Sequence, residues 1–398
     1  MHPAPELRLL LDLTTIPTAA GREGRVIAWI ERWASERPDL ALRRDPSGNL
    51  ILERRTPDRA SRPLFITAHL DHPAFVVEQI IGPGTILASF RGGVMDPYFR
   101  EARVEVFPPQ GDPLRATVID KRDAKPFPQW LIELDDGQGA DALAPGLIAR
   151  WALPPASIEG DLLHTDACDD LAALAASLVA FDRLRAEPRA AHVRLLFTRA
   201  EEVGFIGAIA ACKHETMPKD ARVIALENSR SFPTDSPIGG GPIVRVGDRL
   251  STFSPALTGA VARVAEAIAS SGGGAGGAVA PGGAHPYRWQ RKLMPGGACE
   301  ATAFQAWGYE ATCVCLPLGN YHNMANLQSV QDGDAQAVAH AQVAREFISI
   351  SDYRGMIELL VRCATDLGGA WGAEPLTDRL ERLFQQGRGV LDSTPGPT

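Results

Sequence analysis

From about Ala74 to Glu159 apolar residues recur at every second position, as in Ala102-Arg103-Val104-Glu105-Val106 and Trp130-Leu131-Ile132-Glu133-Leu134, with Gly and Pro turns between the runs. No convincing helical period interrupts this stretch. On both sides of it the pattern is different: short apolar strands alternate with helical segments, which is the signature of a largely parallel sheet covered by helices. A small β-barrel inserted into an α/β domain meets both patterns. The expected fold is therefore α/β, a mostly parallel mixed sheet with helices on both faces plus an inserted small β-barrel. The expected domains are 1–73 with 160–352, then 74–159 as the insert, and 353–398 as a helical extension disordered after Asp392.

The elements follow from spacing. Helices are expected over 6–13 and 21–36, the second with Val26, Ile27, Trp29, Ile30 and Trp33 on one side. Asp45-Pro46-Ser47-Gly48 reads as a turn between strands at 40–43 and 50–53. A third strand at 64–68 runs into His69-Leu70-Asp71. After Asp169 a helix carries Leu171, Leu174, Leu178 and Phe181. It is followed by a strand at 193–197, a helix at 205–213 and a strand at 222–226. Leu257, Val261, Val264 and Ile268 mark another helix, which leads into a glycine-rich run at 271–283, expected to be a mobile loop. A helix at 299–307, a strand at 312–316, one helix including both Val338 and Phe347, and a helical tail at 353–386 complete the expectation.

At 398 residues and 45% hydrophobic composition the chain has material for two cores of unequal size. A net charge of -8 disfavours nucleic acid and anionic membrane as partners. The six cysteines form no CxxC pair, so they read as buried thiols in a reducing compartment. Leu9-Leu10-Leu11 is cut by Asp12, which argues against a signal peptide, and no apolar run reaches spanning length. A soluble, cytoplasmic protein is expected.

Several of the strands are followed at once by a potential metal ligand. His69 follows 64–68, Glu201 and Glu202 follow 193–197, Glu227 follows 222–226 and His322 follows 312–316. A parallel sheet gathers such positions at one edge, where open α/β folds bind ligands. Asp169, at the start of a helix, either caps it or bridges two metals. Two imidazoles and three carboxylates suit zinc, cobalt or manganese better than magnesium.

Ala68-His69-Leu70-Asp71, Cys168-Asp169-Asp170, Glu201-Glu202-Val203-Gly204, Glu227 and Tyr321-His322 resemble, in order and approximate spacing, the co-catalytic metallo-aminopeptidases of the tetrahedral or glutamyl/leucyl type. The likeness runs from about residue 5 to 350 and includes the β-rich insertion between the first His and Asp169. It implies that Asp169 bridges two divalent ions, with His69 and Glu227 completing one site and Glu202 and His322 the other. It implies Glu201 as general base and Asp71 as the residue that bonds the other nitrogen of His69. It also implies peptide substrates and a homo-oligomer. Against two dications, Asp169, Glu202 and Glu227 leave one net positive charge.

The chain departs from the family pattern in places. His72-Pro73-Ala74 follows Asp71, Glu227 stands for the more usual Asp, Leu171 for an Arg, and Glu300 lies near where an Asp is frequent. His72, His164, Asp166 and Cys168 are close enough in sequence to compete as ligands. No nucleophile-elbow pattern surrounds Ser251, Ser254 or Cys313. Two alternatives to an aminopeptidase stay open: a related zinc amidohydrolase, such as a deacylase or carboxypeptidase-like enzyme, and a binding or assembly protein on the same fold.

Overall fold

The structure, a computed structural model, describes residues 4–137, 139–271, 287–371 and 376–392. Among the described residues seventeen strands run in chain order. They are β1 Leu40–Arg44, β2 Leu50–Arg54, β3 Leu64–His69, β4 Ala74–Gly82, β5 Thr85–Arg91, β6 Arg103–Phe107, β7 Leu114–Arg122, β8 Gln129–Leu134, β9 Ile148–Trp151, β10 Ser157–Glu159 and β11 Leu162–Thr165. There follow β12 Val193–Thr198, β13 Arg222–Arg230, β14 Ile243–Asp248, β15 Gln290–Met294, β16 Glu310–Leu318 and β17 Glu346–Ser349. The helices are α1 Pro5–Thr14, α2 Gly24–Ser35, α3 Leu171–Leu184, α4 Ile206–Lys213, α5 Pro255–Ser270 and α6 Glu300–Ala306. The chain closes with α7 Leu327–Gln331, α8 Ala335–Ala339, α9 Ile350–Trp371, α10 Leu376–Gly387 and α11 Gly389–Asp392.

Eight strands form one mixed sheet in the order β1-β2-β12-β3-β13-β16-β14-β15. Its centre, β12-β3-β13-β16, is parallel throughout, with Val193 opposite Leu64, Arg222 opposite Leu64 and Arg222 opposite Glu310. Burial on both faces explains why these strands read as continuous apolar runs rather than alternating ones. In β3, Leu64, Ile66 and Ala68 enter the core shared with α1, α2, α3, α5 and α9, while Phe65 enters the opposite one with α4 and α6. The helices keep to their own local logic. Ser254 caps α5, its hydroxyl accepting the Leu257 N–H at 3.2 Å.

The period-two stretch closes into a six-stranded barrel in the order β4-β5-β8-β7-β6-β9. Phe75, Phe90, Trp130 and Trp151 of its strands share one core with Phe99, which enters from the 3-10 turn Asp96–Phe99 between β5 and β6, and the Phe99 ring stacks on Trp130 at 3.9 Å between centroids. The last strand of that stretch, β10, pairs instead with β11, and β11 with β17.

Two expectations need correction. The single helix through Val338 and Phe347 does not form: Val338 lies in α8, whereas Phe347 lies in β17, opposite His164 of β11. The long-range ladder and ring contact with His164 at 5.2 Å outweigh local helical spacing. Glu227 does not follow its strand, because β13 continues to Arg230 along the full length of β16. The expected glycine-rich loop, apart from its first residue, and the expected disordered end after Asp392 lie outside the described residues.

Candidate metal centre

At the C-terminal edge of the parallel strands β12, β3, β13 and β16 the chain brings together His69, Asp169, Glu201, Glu202, Glu227 and His322. Asp169 stands between the two imidazoles. Its Oδ1 lies 3.3 Å from His69 Nε2 and its Oδ2 lies 3.5 Å from His322 Nε2. Around it, Glu227 Oε1 is 3.8 Å from His69 Nε2, and Glu202 Oε2 is 3.4 Å from His322 Nε2. Ligand-type atoms of His69, Asp169 and Glu202 lie within 4.8 Å of one another, as do those of His69, Glu201 and Glu227.

Local backbone aims these side chains. Ala200 and His322 both adopt left-handed conformations, with φ of 53° and 54°, at positions where residues other than Gly carry strain. The loop after β12 turns sharply back over Gly207, where an added Cβ would come within 2.3 Å of the Arg199 carbonyl oxygen. Glu23 ties that loop to the start of α2, its Oε1 accepting the Ala200 N–H at 3.0 Å while Arg199 pairs with it at 2.8 Å. The barrel also contributes: the carbonyl oxygen of Gly93, just after β5, lies 2.7 Å from His322 Nδ1, leaving Nε2 towards the carboxylates.

The other ring nitrogen of His69 meets the backbone oxygen of Asp71 at 3.1 Å, with the Asp71 carboxylate at 3.7 Å. That carboxylate instead accepts the backbone N–H groups of Glu201 and Glu202. Asp169 is not a helix cap, because the N-cap position of α3 belongs to Asp170. Both nitrogens of His72 are engaged, Nδ1 at 2.5 Å from the Asp169 carbonyl oxygen and Nε2 at 3.1 Å from Asn323 Oδ1. Asp166 pairs with Arg150 at 3.0 Å, and His164 packs on Phe347 away from the cluster.

The electrostatics of the cluster favour cations. Burial, reinforced by neighbouring carboxylates, holds Asp170, Glu201 and Glu202 well above the ordinary carboxylate range and pushes Glu227 and Glu300 up to about 7. His322 is raised to about 10, against its burial, by Glu202 and Asp169. Asp169 Oδ1 and Glu202 Oε1 are buried and accept no hydrogen bond, a rare condition for buried carboxylates. Oxygen and imidazole donors converging in this way fit divalent ions of the zinc, cobalt or manganese type.

Beside the cluster opens a cavity of about 580 Å³. Val94, Met95, Phe232, Met294, Met324 and Leu327 give it apolar walls, and Arg230 and Arg245 add charge. Two residues that shape this site carry no strand-end signal in the sequence. Gly93 reaches it from the barrel, and Glu346 reaches it from β17.

The chain matches the M42 glutamyl aminopeptidase family profile over residues 48–269, more than half its length, and it belongs to that family. It is a peptide hydrolase, and the family is metal-dependent. Among solved structures it is similar to the TET1 peptidase of Pyrococcus horikoshii, described as assembling into a tetrahedron or a large octahedral shell. The identity is 20%, the match covers 90% of this chain and 99% of that one, and the TM-score is 0.69. It is also similar to a TET aminopeptidase from a marine sediment archaeon of the Thaumarchaeota, at 17% identity, 92% and 100% coverage and a TM-score of 0.70. At these identities the likeness speaks for the fold, including the mixed sheet and the closed barrel. No curated protein sequence matches the chain. No helix among the described residues is long and apolar enough to cross a membrane.

Proposed function

We propose that this peptide hydrolase is an aminopeptidase working with two divalent metal ions, zinc or alternatively cobalt or manganese. The observation that carries the reading is Asp169, whose two oxygens face one imidazole each. His69 and Glu227 would hold one ion, His322 and Glu202 the other, and Asp169 both. Such a pair, when bound, supplies Lewis acidity for the scissile carbonyl and lowers the pKa of the attacking water.

The protein's own groups do the rest. Glu201 is 7% exposed, which suits a base that must meet substrate and water yet stay shielded from bulk solvent. It accepts a proton from the attacking water and delivers it to the departing amine. Asp71 fixes the backbone of Glu201 and Glu202, and the adjoining cavity seats the N-terminal side chain.

We further read residues 1–73 with 160–352 as the catalytic domain, 74–159 as the inserted barrel domain and 353–398 as an extension. The TET relatives form closed assemblies, and a homo-oligomer is the matching proposal for this chain. The test is release of the first residue from unblocked peptides by the metal-loaded protein, set against N-acetylated versions of the same peptides. Cleavage of unblocked peptides alone supports an aminopeptidase; preference for the acetylated ones points to a deacylase, and cleavage of neither to a binding protein.

A further inference from the structure

Glu346 in β17 is 0% exposed, and its carboxylate faces backbone rather than solvent. Its Oε2 accepts the N–H groups of Cys168 at 2.6 Å and Asp169 at 3.1 Å, and its Oε1 accepts the N–H of His322 at 2.8 Å. One side chain thus takes three backbone donors from two segments far apart in sequence, one bearing Asp169 and the other His322. Thr165 of β11 lies opposite Glu346, so the sheet β10-β11-β17 holds the carboxylate against the segment that leads into Asp169.

We propose that Glu346 is a positioning residue that sets the distance between the Asp169 carboxylate and the His322 imidazole, and with it the affinity of the ion those two share with Glu202. The inference rests on the metal-centre reading above. Three donors on two oxygens fix both segments at once, because moving either one leaves a buried N–H without an acceptor. His322 depends on this bond more than Asp169 does. Its backbone is left-handed at φ 54°, a conformation that surrounding contacts must maintain.

Glu346→Gln separates the two attachments. Its single carbonyl oxygen can keep the Cys168 and Asp169 donors, turning the NH2 group against the His322 N–H, and this arrangement preserves two bonds out of three. Zinc is titrated into chelator-stripped protein in competition with a chromogenic chelator, with melting temperature recorded in parallel. Wild type should take two ions. The variant should bind one ion as wild type does and the second about 10–100-fold more weakly, the range for loss of a group that orients a ligand. The weakened site should be the one abolished by His322→Ala. Glu346→Ala should weaken both ions, and Glu346→Asp serves in its place if it does not fold.

Unchanged affinities in folded Glu346→Gln overturn the inference. So does an equal loss at both sites accompanied by a lower melting temperature, which would mark a purely structural role. Wild-type protein that takes fewer than two ions contradicts the metal-centre reading itself, a failure distinct from that of the role of Glu346.

Discussion

Asp71 Oδ1 accepts the backbone N–H of Glu201 at 2.9 Å, so the proposed base is held from beneath by a carboxylate two residues beyond His69. Asp71 Oδ2 accepts the neighbouring Glu202 N–H at 3.1 Å, and the side chain is 0% exposed. The same bonds couple the strand end that presents His69 to the loop that presents both glutamates. Asp71→Asn keeps only one acceptor for the two donors. It should lower kcat by about 10–100-fold with a smaller change in KM, since what it disturbs is orientation rather than the substrate cavity. Steady-state kinetics on an unblocked peptide measures this, and an unchanged kcat contradicts the positioning role.

Glu201→Gln removes the base but leaves its five neighbours in place. Turnover should fall by about 100- to 10,000-fold, the usual contribution of a positioned base, while metal content stays near that of wild type. Glu202→Gln and His322→Ala should instead reduce metal content. Elemental analysis beside the rate assay separates the two roles, and full activity in Glu201→Gln removes Glu201 from the mechanism.

The barrel core centres on Phe99, which is 2% exposed, stacks on Trp130 and meets Phe75, Phe90 and Trp151 edge-on. Phe99→Ala should cost about 3–5 kcal/mol. Because the Gly93 carbonyl oxygen fixes the His322 ring from the barrel side, loosening this core should also weaken metal binding. Denaturant titration and zinc competition check the two effects.

Asp352, at the start of α9, accepts the N–H groups of Gly239 and Gly241, both at 2.7 Å. Burial nonetheless pushes its carboxyl from 3.8 up to about 6. A raised carboxyl pKa favours the folded, protonated form, so its contribution is complete below about pH 4 and is lost as pH rises through about 6. Over that window wild type should lose about 3 kcal/mol relative to Asp352→Asn, at roughly 1.4 kcal/mol per pKa unit. Parallel denaturation curves between pH 4 and 7 measure the difference, and parallel slopes for the two proteins contradict it.

Much of this architecture is legible in the residue pattern because it is local. Period two across Phe75, Val77, Val104 and Val106 marks the barrel, and apolar runs ending at His69 and Thr198 mark the parallel strands. The cluster is legible because parallel strands convert sequence positions at their ends into neighbours at one edge. What escapes is set by distant partners. Phe347 is held in a strand by distant partners, with His164 opposite it on one side and Gly319 exchanging backbone hydrogen bonds with it on the other. Glu346, between Arg345 and Phe347, looks like any solvated charge until Cys168, Asp169 and His322 supply its donors. Gly93 acts through a carbonyl group, which every residue carries, and so leaves no mark in side-chain type.

The most direct test is recovery of activity as metal is returned to chelator-stripped protein, followed on an unblocked peptide. Two-metal catalysis predicts no release of the first residue from stripped protein and full activity only after two equivalents of zinc, cobalt or manganese per chain. Activity that persists without metal, or that is complete at one equivalent, contradicts it.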